Sequence, residues 1–253
     1  MYYQLNNNMY YHLTDINKLN TLSNKHMVKG IHCINENLTE LPNLDKFINL
    51  EILYCNINKL TRLPELPNNL NKIYCNDNQL TQLCKLPINL KEISCYNNNL
   101  TKLPELPYNL NLLFCDNNKL KELPKLPINL QYLYCCYNQL IHLPELPPNL
   151  NKLYCNNNQL KQLNQLPYTL KELICDSNKL TYICNLPIKL NLLFCNYNKL
   201  IQLPKNIIHC KNLFYYKKYN KYIYVKKLNY LVNDTIYYYY YYSIMKYYNK
   251  IYY

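Results

Sequence analysis

Cysteine falls at positions 55, 75, 95, 115, 135, 155, 175 and 195, one every 20 residues without a slip. Asparagine keeps the same step from Asn58 to Asn198, and leucine keeps it in two further columns, Leu50 to Leu190 and Leu60 to Leu200. A chain with locked columns folds as a stack of like units, because one short unit cannot bury an apolar face alone and must bury it against its neighbours. An earlier unit fits the frame with Val28, Ile31, Cys33 and Leu38, carries Glu36 in the Asn place, and is longer, 22 residues separating Cys33 from Cys55. Beyond Leu203-Pro204, residues Ile207, Cys210, Leu213 and Tyr216 keep a three-residue beat while the Cys and Asn columns are lost. That reads as a degenerate terminal unit, since end repeats must cap an open core.

Each column has a physical reason. Around Leu53-Tyr54-Cys55 apolar positions alternate inward and outward, which suits a short strand. Successive strands then stack in parallel, with Leu50, Leu53, Cys55 and Leu60 turned into the core. Each Asn stands where the chain leaves the strand, and its amide can satisfy backbone groups that the turn leaves unpaired. Leu63-Pro64-Glu65-Leu66-Pro67 fixes φ and removes amide donors, so the returning half of the unit is extended or polyproline-like rather than helical. Little helix is expected inside the repeats. In residues 10–26 a weak stripe of Leu13, Ile16, Leu19 and Leu22 fits a helix capping the first unit.

The unit L-x-x-L-x-C-x-x-N-x-L, as in Leu70-Asn71-Lys72-Ile73-Tyr74-Cys75-Asn76-Asp77-Asn78-Gln79-Leu80, resembles the leucine-rich repeat. With its Leu-Pro-x-Leu-Pro half it is similar to the short class of that repeat, found in bacterial secreted effectors and in repeat proteins of giant DNA viruses. The resemblance covers about residues 28–216. It implies a leucine-rich-repeat solenoid, an α/β-type horseshoe with short parallel strands on its concave face and an extended or 3-10 convex side. The expected organisation is a cap at 1–27, a solenoid of about nine units and a degenerate one at 28–216, and a low-complexity segment at 217–253.

In such an architecture the outward strand residues face a ligand. One row is Tyr54, Tyr74, Ser94, Phe114, Tyr134, Tyr154, Ile174 and Phe194; a second is Ile52, Lys72, Glu92, Leu112, Tyr132, Lys152, Glu172 and Leu192. Aromatic side chains in a row are what protein-binding surfaces enrich, and an exposed apolar patch of this kind marks an interaction site. The same row also follows from strand propensity alone. The candidate binding residues are Tyr54, Tyr74, Phe114, Tyr132, Tyr134, Tyr154, Phe194, Lys72, Glu92, Lys152 and Glu172. A shift of 80 residues pairs Lys72 with Lys152, Glu92 with Glu172, Tyr74 with Tyr154 and Phe114 with Phe194, so a four-unit block is read as duplicated. The concave chemistry then recurs ~19 Å along the axis, four strand spacings on.

A column of cysteines is read first as small apolar side chains in a narrow core slot. No Cys-x2-Cys occurs and the five histidines join no column, so no metal site is expected. Parallel neighbouring thiols have poor geometry for a disulfide. Cys84 and Cys184 replace a proline and are expected to be more exposed, and Cys136, at an outward place, is the best candidate for a reactive thiol.

The formal net charge is +13, and residues 201–253 hold nine lysines against a single acidic residue, Asp234. Sixteen of the 31 tyrosines lie from Tyr215 onward, six of them consecutive at 237–242. Lysine interleaved with aromatic residues can bind single-stranded nucleic acid by charge and stacking, although the default is a strand-prone cap or a disordered tail. With Gly30 as its only glycine the chain lacks a phosphate-binding loop, and no H-E-x-x-H, G-x-S-x-G or paired-carboxylate pattern occurs. Some effectors with similar repeats carry a C-terminal ubiquitin-ligase domain with a catalytic cysteine; here the last cysteine is Cys210, within the degenerate unit. The expectation is a non-catalytic, cofactor-free protein-binding scaffold, with a nucleic-acid-associated protein acting through its tail, or a host-directed adaptor for a ubiquitin ligase, as alternatives. Without a signal segment or an apolar run long enough to span a membrane, an intracellular location is expected, the host cytoplasm for a viral protein.

Overall fold

A computed structural model describes residues 2–5, 8–12, 19, 21–204, 206–207 and 212–214. The low-complexity segment 217–253, and with it the cap and nucleic-acid expectations, lies outside the described residues, as do Leu13 and Ile16. The described strands form one sheet in sequence order. They are β1 (Tyr2–Leu5), β2 (Asn8–His12), β3 (Val28–His32), β4 (Ile52–Tyr54), β5 (Lys72–Tyr74), β6 (Glu92–Ser94), β7 (Leu112–Phe114), β8 (Tyr132–Tyr134), β9 (Lys152–Tyr154), β10 (Glu172–Ile174), β11 (Leu192–Phe194) and β12 (Asn212–Phe214).

From β2 onward every pairing is parallel. Leu53 lies opposite Ile73 and Leu193 opposite Leu213, so the 20-residue step runs unbroken from β4 into the terminal unit. The first unit takes the longer step its sequence requires, with Ile31 opposite Leu53. Leu50, Leu53, Cys55 and Leu60 and their equivalents fill one continuous core. Each returning half, such as 63–66, has no regular secondary structure and ends in a turn closed by an N–H donated from Leu70 to Pro67 O (3.1 Å).

At the N-terminal end, β1 and β2 form an antiparallel hairpin whose second strand pairs with β3. Residues 10–12 are therefore strand and not part of the expected helix. Residues 19 and 21 are helical and Lys25–Met27 form a 3-10 turn. Of the expected stripe, Leu19 is buried in the core and Leu22 packs against it.

The Asn column is a continuous hydrogen-bonded ladder. Asn118 Nδ2 donates to the carbonyls of Cys95 (3.0 Å) and Cys115 (3.2 Å), and its Oδ1 accepts the N–H of Leu100 at 2.9 Å. The same contacts recur from Asn78 to Asn198, each amide tying its own turn to the preceding one.

The residue before each ladder Asn is in the left-handed region: Ile57 (φ 58°), Asp77, Asn97, Asn117, Tyr137, Asn157, Ser177 and Tyr197. Asn and Asp tolerate it because their short polar side chains bond locally, whereas a β-branched residue is strained there. Ile57 is the β-branched member of the column, so Ile57→Asn is expected to stabilise the protein by about 1 kcal/mol, raising Tm by roughly 2–4 °C in thermal unfolding.

Candidate functional site: the concave face

In a three-residue strand the middle residue faces the core and its neighbours face out, which puts the Tyr54 and Ile52 rows on the concave face. The structure brings both rows together but corrects the expectation of an exposed aromatic row. Tyr74, Ser94, Phe114, Tyr134, Tyr154, Ile174 and Phe194 are only 2–7% exposed; Tyr54, at the N-terminal end, is half-buried. Adjacent strands hold the rings against one another. Tyr54 stacks on Tyr74 at 4.7 Å between centroids, Phe114 on Tyr134 at 4.3 Å, and Tyr134 meets Tyr154 edge-on at 4.7 Å. From Phe114 to Phe194 the row forms a second apolar cluster on the concave side of the sheet.

The more exposed row of this face is the flanking one. Ile52, Lys72, Glu92, Leu112, Tyr132, Lys152 and Glu172 are half-buried, with Leu112 and Tyr132 packed on the second cluster. Within the row the duplicated block has one geometry in both copies. Lys72 Nζ lies 2.7 Å from Glu92 Oε1 while Tyr74 Oη donates to Glu92 Oε2. Eighty residues on, Lys152 Nζ lies 3.0 Å from Glu172 Oε1 and Tyr154 Oη donates to Glu172 Oε2. Each Glu thus has one carboxylate oxygen on the lysine and the other on the tyrosine of the preceding strand.

The other flank is a polar file that the sequence reading missed. Asn76, Asp116, Asn156 and Asp176 all lie buried there. Asp116 Oδ1 accepts the N–H of Cys136 at 2.8 Å, and burial pushes the carboxyl from 3.8 up to about 6, against the pull of the bonds from Cys136. Cys136 is fully buried, with its Sγ 2.7 Å from Asn156 Oδ1, and burial followed by the neighbouring Asp116 raises its thiol well above the ordinary range. It is therefore not the accessible reactive thiol that its outward place suggested. The core cysteines are buried too, Cys75 pushed up to about 12 by burial, and the thiols of Cys33, Cys95, Cys115, Cys135 and Cys175 donate to backbone carbonyls, as from Cys115 to Tyr134 O at 3.3 Å. Cys84 and Cys184 are partly exposed, and all twelve described cysteines are free.

Among the described residues no group of three or more His, Cys, Asp or Glu is arranged to hold a metal, and no helix is long and apolar enough to cross a membrane.

No family model matches the chain, and no curated protein matches it by sequence. Solved structures do. The leucine-rich effector protein YopM from Yersinia pestis is 32% identical over 76% of this chain, with a TM-score of 0.67. The chain spans about 60% of that protein's length. The leucine-rich-repeat domain of a Shigella effector is 30% identical, the match covering 63% of this chain and 73% of that domain, with a TM-score of 0.56. Toll in the Toll–Spatzle complex of Drosophila shares the fold at 22% identity and a TM-score of 0.58, over 72% of this chain and 28% of that one. Leucine-rich-repeat proteins of this kind are generally protein-interaction scaffolds or effectors. A parallel-strand solenoid with almost no helix, built on this repeat and aligned with these structures, carries one conclusion: the chain belongs to the leucine-rich-repeat family.

Proposed function

We propose that the protein is a non-catalytic scaffold that binds a protein partner on the concave face of its repeat array, inside a cell. The observation that carries this reading is the half-buried row from Ile52 to Glu172, which interleaves charged, apolar and aromatic side chains along a face whose centre is solidly packed. A platform ordered before binding loses little side-chain entropy on association, and Tyr132 supplies the large amphipathic ring that binding hot spots favour. The free thiols fit a reducing compartment. The likeness to bacterial effectors favours a host-cell partner.

Tyr74, Phe114 and Tyr154 are unsuitable probes, because charge placed there would be buried and unpaired. Leu112 and Tyr132 are half-buried and accept substitution without opening the core. Affinity capture from host-cell lysate is to compare the wild type with Leu112→Glu/Tyr132→Glu, matched in thermal unfolding. The partner is expected with the wild type and absent from the variant; an unchanged set of captured proteins contradicts the reading.

A further inference from the structure

The two Lys–Glu–Tyr units raise a sharper question than where a partner binds. They are related by translation along the axis, not by a twofold, and sit four turns apart. In each, the lysine and the tyrosine of the preceding strand take one carboxylate oxygen apiece. The ammonium is the group left facing outward: the side chains of Lys72 and Lys152 are 37% and 34% exposed, their glutamates 26% and 22%. An ammonium carries three N–H donors, and the glutamate meets it from one side. Exposed Lys91 in one copy and exposed Lys171 in the other precede the glutamate in sequence, so each copy carries two lysines to one glutamate along the chain. Between the units lie Leu112 and Tyr132, an apolar step packed on the second cluster.

We propose that the two units are paired, equivalent subsites for an acidic extended polypeptide that runs along the solenoid axis across the strands. Its carboxylates engage Lys72 and Lys152, and an apolar side chain between them, an even number of residues from each so that it faces the same way, rests on Leu112 and Tyr132. The subsites stand ~19 Å apart, which an extended chain at ~3.3 Å per residue covers in about six residues. The matching ligand therefore repeats its acidic residues about every six positions. This rests on the concave face being the binding face and adds the spacing and charge of what it takes.

The test uses the full-length protein and fluorescein-labelled synthetic peptides read by anisotropy. One peptide carries two glutamate pairs about six residues apart with a phenylalanine between them, an even number of residues from the first glutamate of each pair; a second has the same composition with the pairs adjacent. The spaced peptide is expected to bind more tightly. Lys72→Gln and Lys152→Gln are each expected to weaken it about tenfold, and to the same extent, because each removes one charge-assisted contact. The double variant is expected to reduce the spaced peptide to the affinity of an uncharged control. Equal affinity for both spacings, or unequal losses from the two single variants, overturns the pairing. If neither peptide binds while host-protein capture still depends on Leu112 and Tyr132, the paired subsites fall and the concave face stands as the binding face. If capture does not depend on them either, both readings fall.

Discussion

Asn118→Asp is expected to cost about 4 kcal/mol or more and to break the cooperativity of unfolding. Asn118 is buried in mid-array and spends both amide hydrogens on carbonyls, those of Cys95, Cys115 and Asp116, while its oxygen accepts from Leu100 N–H. An aspartate keeps the acceptor but removes both donors, and it turns a carboxylate toward three carbonyl oxygens where water cannot reach. Each buried group left unpaired costs about 1–3 kcal/mol, and a buried charge costs more. Stability in a solenoid is nearly a sum of unit and neighbour-interface terms, so the loss concentrates at the junction of the turns that Asn118 ties together. Denaturant unfolding followed by circular dichroism should show a lower midpoint and a shallower or two-step transition. A variant that unfolds in one step at the wild-type midpoint would show that the ladder contributes little.

Asp116→Asn is expected to act in the opposite direction. The folded-state carboxyl is raised from 3.8 to about 6 by burial, so the folded protein holds this proton more tightly than the unfolded chain. The associated stability is present below about pH 4 and is lost as pH rises through about 6. At pH 7 the penalty for burying the charge is up to ~3 kcal/mol, at about 1.36 kcal/mol per unit. Asparagine, which already holds the equivalent places at Asn76 and Asn156, retains an oxygen for Cys136 N–H. Its amide nitrogen is a new cost, since Asn156 Nδ2 has no partner among the described residues. Subtracting ~1 kcal/mol for that donor leaves a gain of about 2 kcal/mol at pH 7, which turns into a loss of about 1 kcal/mol below pH 4 where only the donor's cost remains. Chemical denaturation at pH 4 and pH 7 checks both the size and the sign.

The parts of this fold legible in the sequence are those repeated in every unit. Leu50, Leu53, Cys55 and Leu60 declare the core, Asn58 the ladder, and Lys72, Glu92, Lys152 and Glu172 the duplicated block, because each is a column of one residue type or a string copied whole. The left-handed column was not legible. Ile57, Asp77, Tyr137 and Ser177 share a backbone angle but no chemistry, and the ladder bonds of the next residue hold them there. Burial of the aromatic row was hidden for a different reason. Strand alternation points Tyr74 and Tyr154 outward correctly, but their cover comes from rings on adjacent turns, a property of the stack rather than of any unit. Cys136 fails in the same way, roofed by its neighbours in the polar file. At the N-terminus the helical stripe competes with the open edge of β3, which β2 pairs, leaving β1 as the edge strand of the sheet.

Site-specific photo-crosslinking locates the partner most directly. A benzophenone amino acid replaces Tyr132 on the concave face in one protein and Tyr182, 51% exposed and outside the concave rows, in another. Both are irradiated in host-cell lysate. A covalent adduct formed from position 132 and not from 182 is the expected result; adducts from 182 alone would move the binding surface off the concave face and contradict the account.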